Sequence, residues 1–139
     1  MRIGTVKETF PGEQRAALTP ASVAKLVKLG AQVVIEAGLG KTIGAEDAEF
    51  TKAGAQIESR DSILSTSDLV LRVRKPAPED VKKLKKGAIH ISFLDPFHER
   101  ALVDAFAAAG VSAISMEMIP RSTRAQKMDA LSSQASLAG

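Results

Sequence analysis

Thr19-Pro20-Ala21-Ser22-Val23-Ala24-Lys25-Leu26-Val27-Lys28-Leu29-Gly30-Ala31-Gln32-Val33-Val34-Ile35 carries a complete helix signal followed at once by a strand signal. Thr19 is a favoured N-cap type, and the ring-fixed φ of Pro20 suits the first helical position. Val23, Leu26, Val27 and Leu29 then follow at helical spacing, and Gly30 supplies a left-handed stop. Val33 to Ile35 is an unbroken β-branched run, as expected of a strand covered on both faces. Ile3 to Val6, upstream, is a second short apolar run. A strand, a helix and a strand in this order make the parallel crossover unit.

The alternation continues along the chain. Leu69 to Val73, Ile89 to Phe93 and Val111 to Ile114 read as further buried strands. Helical patterns lie at Ala45 to Ala53, Pro78 to Leu84 and Glu99 to Ala109, closed by Gly54, Gly87 and Gly110, with a shorter turn near Ser62. The class is therefore α/β. The expected architecture is a mostly parallel, doubly wound sheet of at least five strands, Rossmann- or flavodoxin-like, with helices on both faces. The strand order stays open at this level. After the last strand, Met116 to Arg124 is a loop with Pro and Arg, and Gln126 to Ala138 has good helix formers. Leu131 and Leu137 there need an apolar neighbour, so Gly139 is expected to be a point of truncation.

The chain's 139 residues suit one domain, 1–139, and 45% hydrophobic with 25% charged residues is ordinary for a globular chain. The net charge of +3 is small. Lys82, Lys83, Lys85 and Lys86 form one short basic run, which reads as a solvated helix face. There is no Cys, so disulfides and thiolate chemistry are excluded. With no Trp, no Tyr and five Phe, platforms for stacking bases are lacking, and nucleic acid is not an expected partner. No apolar run reaches the roughly 18 residues that a membrane span requires, so this chain is expected to be soluble.

Gly38-Leu39-Gly40-Lys41-Thr42 follows a strand and resembles a phosphate loop, but Ile35 stands where a P-loop needs its first glycine. The dinucleotide fingerprint also fails, because Ile43 stands where glycine or alanine is required. A plain turn is expected there. His90 and His98 have no second His or Cys at ligand spacing, so no metal is expected. Asp95, at the end of a strand, reads equally as a helix cap or as a cleft carboxylate. Arg15, in the loop after the first strand, reads equally as a clamp for an anion or as a partner of Glu8 or Glu13.

Pro120-Arg121-Ser122-Thr123-Arg124-Ala125-Gln126-Lys127-Met128-Asp129-Ala130-Leu131-Ser132-Ser133-Gln134 gathers Arg, Gln, Asp and Ser after the last strand. It closely resembles the Arg-Gln-Asp loop of the proton-translocating NAD(P) transhydrogenase α-subunit family, related to alanine dehydrogenase. Met1-Arg2-Ile3-Gly4, Lys7-Glu8, Arg15-Ala16-Ala17-Leu18-Thr19-Pro20 and Val73-Arg74-Lys75-Pro76 extend the resemblance over essentially the whole chain. By that resemblance Arg121, Gln126, Asp129 and Ser132 contact the nicotinamide end and phosphates of NAD(H). The same resemblance leads to the expectation that Arg15, Arg74, Lys75 and Asp95 line an anion or substrate cleft. NADP(H) is expected on a partner subunit, with membrane and NADP(H)-binding subunits as partners, a homodimer of the complete subunit, and a peripheral place on the cytoplasmic side of the inner membrane. The family's Rossmann domain, with its glycine fingerprint, is not in this sequence, so the chain alone is expected to be inactive. Alanine dehydrogenase places Lys where Arg74 stands and His where Asp95 stands, which removes its acid–base group. Two alternatives stay in view, an alanine-dehydrogenase-like oxidoreductase domain and a non-catalytic module binding a small anion.

Overall fold

The computed structural model describes residues 1–95 and 98–116. Arg2–Thr5 forms β1, Pro20–Lys28 α1, Gln32–Glu36 β2, Asp47–Lys52 α2, Gln56–Glu58 β3 and Arg60–Thr66 α3. Leu69–Arg74 forms β4, Pro78–Lys83 α4, Ile89–Phe93 β5, Arg100–Ala109 α5 and Ser112–Ser115 β6. The strands make one sheet in the order β3-β2-β1-β4-β5-β6. Every pairing is parallel. This is the order of the doubly wound dinucleotide sheet, which reverses direction between β1 and β4 and opens a crevice there beyond the strands' carboxyl ends.

Local chemistry explains the element ends. The Thr19 side chain accepts from the Ser22 amide and so caps α1. Glu46 and Glu49 form a reciprocal capping box at α2, each carboxylate accepting from the other residue's backbone. Gly110 closes α5 in the left-handed region, at φ 72°. The Gly38 to Thr42 stretch is a turn followed by a short 3₁₀ segment, Lys41–Ile43. The Gly38 amide donates to Asp47 Oδ1 at 2.8 Å, so this turn spends its donor inside the protein.

The sheet separates two cores. Val23, Val33, Ile35, Leu39 and Phe50 pack on one face beneath α1 and α2. On the other, Val6, Val34, Ile63, Val70, Val81 and Phe106 pack beneath α3, α4 and α5. Helix α3 lies close on β1 because Gly4 has no side chain: a Cβ there would stand 2.2 Å from Ser67 Oγ and 2.6 Å from Ile63 Cγ2.

Two elements differ from the sequence reading. The turn near Ser62 is a seven-residue helix, capped by the Ser59 side chain. Strand β3 goes unannounced because Gln56-Ile57-Glu58 holds one apolar residue and lies at the sheet edge. The Lys82 to Lys86 run is exposed as expected, with Lys83 paired to Asp61 and Lys85 to Asp68.

Candidate functional site

The carboxyl ends of β1, β2 and β4 converge on a chain of ion pairs. Glu8, in the loop after β1, reaches across the switch point to the end of β4. It accepts hydrogen bonds from the amides of Val73, at 3.2 Å, and Arg74, at 2.9 Å. The β4–β5 register shifts between Leu71 and Arg74, so the Glu8 carboxylate serves amides at an irregular point of the ladder. The Arg72 guanidinium, 1% exposed, lies 3.5 Å from Glu8 and 3.2 Å from Asp80. Asp80 also pairs with Arg60 at 2.5 Å, and Arg60 with Glu36 at 3.2 Å. Arg60 further donates to the Lys7 carbonyl, and the Lys7 amide donates to Glu36. Burial acts to raise the Asp80 carboxyl, but the hydrogen bond from Arg60 and the charges of Arg60 and Arg72 outweigh it, holding the group below the usual carboxylate range.

Outside this frame, two cations face solvent on one carboxylate. Arg15 Nε lies 2.6 Å from Glu13 Oε1, and its Nη2 lies 3.2 Å from Oε2. Arg74 Nε lies 3.7 Å from the same Oε2. The Glu13 side chain is 8% exposed, whereas those of Arg15 and Arg74 are 42% and 39% exposed. The hydrogen bond from Arg15 holds the Glu13 carboxyl below its ordinary value. Arg74 is fixed from a third side by Phe10, whose ring centroid lies 4.0 Å from its guanidinium carbon. Of the two sequence readings of Arg15, the pair with Glu13 is thus present, and the guanidinium still offers an exposed edge.

Lys75 takes a different direction. It pairs with Glu99 at the N-terminus of α5, beside an apolar cleft of about 440 Å³ lined by Thr9, Phe10, Pro76, Ala101 and Leu102. Asp95 sits in the left-handed region at φ 52°. Its carbonyl accepts from the His98 and Glu99 amides, and its carboxylate lies 2.8 Å from His98 Nδ1. That hydrogen bond raises the His98 pKa. Arg15, Arg74, Lys75 and Asp95 therefore all lie at the carboxyl edge, but Glu13 joins only the first two among the contacts described here. Arg121, Gln126, Asp129 and Ser132 lie outside the described residues. Sequence reasoning missed Glu8, Phe10 and Arg72 as supports, since each acts on a partner remote in sequence.

Residues 4–138 match the model of the alanine dehydrogenase/PNT N-terminal domain. The chain belongs to that family. It is 40% identical to the NAD(P) transhydrogenase subunit alpha of Cereibacter sphaeroides, over 100% of this chain and 27% of that protein. Against the alanine dehydrogenase of Mycobacterium tuberculosis the identity is 38%, over 86% of this chain and 32% of the relative. The transhydrogenase structure from Sinorhizobium meliloti superimposes with a TM-score of 0.94 at 40% identity, covering 99% of this chain and 41% of that one. The chain thus spans well under half the length of these relatives. The family and the six-stranded parallel sheet agree with the sequence reading.

Proposed function

We propose that residues 1–139 are the N-terminal domain of the NAD(H)-binding α subunit of a proton-translocating transhydrogenase. The complete subunit binds NAD(H) and passes a hydride to NADP on a partner subunit, while membrane subunits move protons. It acts as a homodimer, peripheral to the cytoplasmic side of the inner membrane. No described helix is long and apolar enough to cross a membrane, which suits a domain that reaches the bilayer through partners.

The observation that carries this reading over an amino-acid dehydrogenase is Asp95. It occupies the turn where the alanine dehydrogenase pattern has an imidazole, and its carboxylate lies 2.8 Å from His98 Nδ1. Direct hydride transfer between two nicotinamides requires no side-chain acid or base, and the ring itself supplies the redox chemistry. What the protein must supply is orientation. The donor set present suits half of a dinucleotide site: Arg15 and Arg74 offer guanidinium edges to an oxyanion at the switch point. Gln126 and Asp129 hold the carboxamide, and Arg121 and Ser132 meet phosphate. The adenosine half belongs to the glycine-fingerprint domain that longer relatives have room for.

The test uses the complete subunit. Gln126→Ala and Asp129→Ala should each slow single-turnover hydride transfer by on the order of a hundredfold, with a smaller effect on NADH affinity. Unchanged transfer in both variants refutes the assignment of this loop to the nicotinamide.

A further inference from the structure

Because every pairing is parallel, the strands all begin at one edge of the sheet, opposite the crevice, and the helices that feed them end there. The loops at this edge are stitched side by side. The Gln32 amide donates to the Met1 carbonyl, the Asp68 amide to the Arg2 carbonyl, the Ile89 amide to the Asp68 carbonyl and the Gly87 amide to the Gly110 carbonyl. They form a continuous rim across β2, β1, β4, β5 and β6, roughly 20 Å long at about 4.8 Å between strands.

The charge on this rim is one-sided. Lys28, Lys52 and Lys82 lie in the last turns of α1, α2 and α4, and Lys85 and Lys86 in the loop after α4. Among the described residues of these loops the carboxylate is Asp68, held by the Arg2 amide at 2.8 Å and by the Lys85 ammonium at 2.6 Å. Lys28, Lys52, Lys82 and Lys86 are exposed, and no salt bridge among the described residues engages them. The two most exposed large apolar side chains of the described residues stand on the same rim: Leu29, 83% exposed, next to Lys28, and Met1, 71% exposed. A lysine in a helix's last turn complements the helix dipole, which accounts for Lys28 or Lys82 singly. It accounts neither for Lys85 and Lys86, beyond the helix, nor for a leucine left in water between them and α1. Ammonium groups around exposed apolar chains are the chemistry of a surface that meets lipid, the charges on headgroup phosphates and the apolar chains in the acyl boundary.

We propose that this rim is a docking surface for an anionic lipid bilayer, with Lys28, Lys52, Lys82 and Lys86 on the headgroups and Leu29 as the inserted anchor. Leu29 projects from the rim instead of lining a socket, which suits a fluid acyl boundary better than the shaped surface of an acidic protein. The rim lies away from the crevice, so lipid and nucleotide do not compete, and it adds a direct contact to the attachment that partner subunits provide.

The test is vesicle binding by the full chain, and it needs no cofactor. Vesicles of phosphatidylcholine alone are compared with vesicles in which a third of the lipid is phosphatidylglycerol. The chain should sediment with the anionic vesicles only, and should leave them as salt rises toward about 0.3 M and the charges are screened. Lys82→Gln and Lys86→Gln should each lower the partition coefficient about fivefold. Lys41→Gln makes the same change of net charge at the opposite edge, after β2, and should leave binding unchanged. The chain has no Trp, so Leu29→Trp supplies a single reporter whose emission should shift to the blue on anionic vesicles. Ile43→Trp, at the opposite edge, should show no shift. Absence of binding to the anionic vesicles would overturn the proposal and leave the rim to an acidic protein. Equal losses from Lys41→Gln and Lys86→Gln, or a blue shift at position 43 in place of 29, would overturn it as well.

Discussion

His90 sets a pH dependence that can be worked from its surroundings. The ring lies within β5 beneath α5, with its centroid 5.0 Å from that of Phe106. Neither ring nitrogen has a hydrogen-bond partner among the described residues. Burial, reinforced by the nearby Arg72 charge, pulls its pKa down from 6.5 to about 3. The folded state therefore refuses a proton that the unfolded chain accepts below its ordinary imidazole value. Stability rises with pH wherever the unfolded state binds more protons, so this residue is silent at neutral pH and destabilises progressively as pH falls from 6.5 toward 3. At pH 4.5, two pH units below the free value at about 1.4 kcal/mol each, the loss is about 2.7 kcal/mol. His90→Leu removes the titrating group and two buried polar atoms, at the cost of an aromatic contact worth about 0.5–1.5 kcal/mol. Urea unfolding at pH 4.5 and pH 7.5 should therefore show the wild type losing about 2–3 kcal/mol more than His90→Leu over that interval. Combining both with His98→Ala removes the opposing contribution of His98, whose pKa is raised. Parallel profiles for wild type and His90→Leu would refute the reasoning.

Glu8→Ala strands two β4 amides and leaves the buried Arg72 with Asp80 alone, so urea unfolding should show a loss of about 2–4 kcal/mol, with Glu8→Gln milder because it keeps one acceptor. Gly4→Ala drives a methyl into Ser67 and Ile63 and should cost about 1–3 kcal/mol in the same assay, through displacement of α3 from β1. Because the folded Asp80 carboxyl is held low, its contribution is present above pH 4 and lost as pH falls through its folded value; Asp80→Asn should thus be most destabilising relative to wild type near pH 6 and converge on it in acid. Calorimetry on residues 1–139 should give no saturable NADH signal at millimolar concentration, since half a site does not offset the association cost of a flexible dinucleotide; micromolar binding would point to a self-sufficient nucleotide module.

Elements that carry their own punctuation were legible in the sequence. Thr19, Pro20 and Gly30 bracket α1 because capping and termination act within a few residues, and the apolar runs mark β2 and β4 because both faces of those strands are covered. Helix α3 is harder to read: it buries only the adjacent pair Ile63 and Leu64, which sets no helical period. At the site, Arg15 and Asp95 stood out as polar groups at strand ends, where a parallel sheet gathers its loops, whereas Arg74 and Lys75 stood out only through the family resemblance. Their grouping did not. Whether Lys75 turns to Glu13 or to Glu99 depends on where α5 begins relative to β4, and the Glu8–Arg72–Asp80–Arg60 chain joins residues that meet only once the sheet is closed. Spacing along the chain carries no record of such pairs.

The strand order is that of a dinucleotide-binding sheet, yet the first crossover is built to a different end. A fingerprint loop works by bringing a helix N-terminus straight to the switch point through a tight glycine turn, so that free amides meet a pyrophosphate. Here residues 6 to 19 separate β1 from α1, Pro20 has no amide hydrogen, and the Thr19 side chain already takes the Ser22 amide. The helix end is satisfied from within and offers little to an anion. Its place at the crevice is taken by side chains carried on that longer loop, Glu8 turned inward to brace β4 and the Glu13–Arg15 pair turned outward beside Arg74. An anion at this edge is thus met by guanidinium groups whose charge is set by a neighbouring carboxylate, and a single substitution at position 13 can change that charge without touching the sheet.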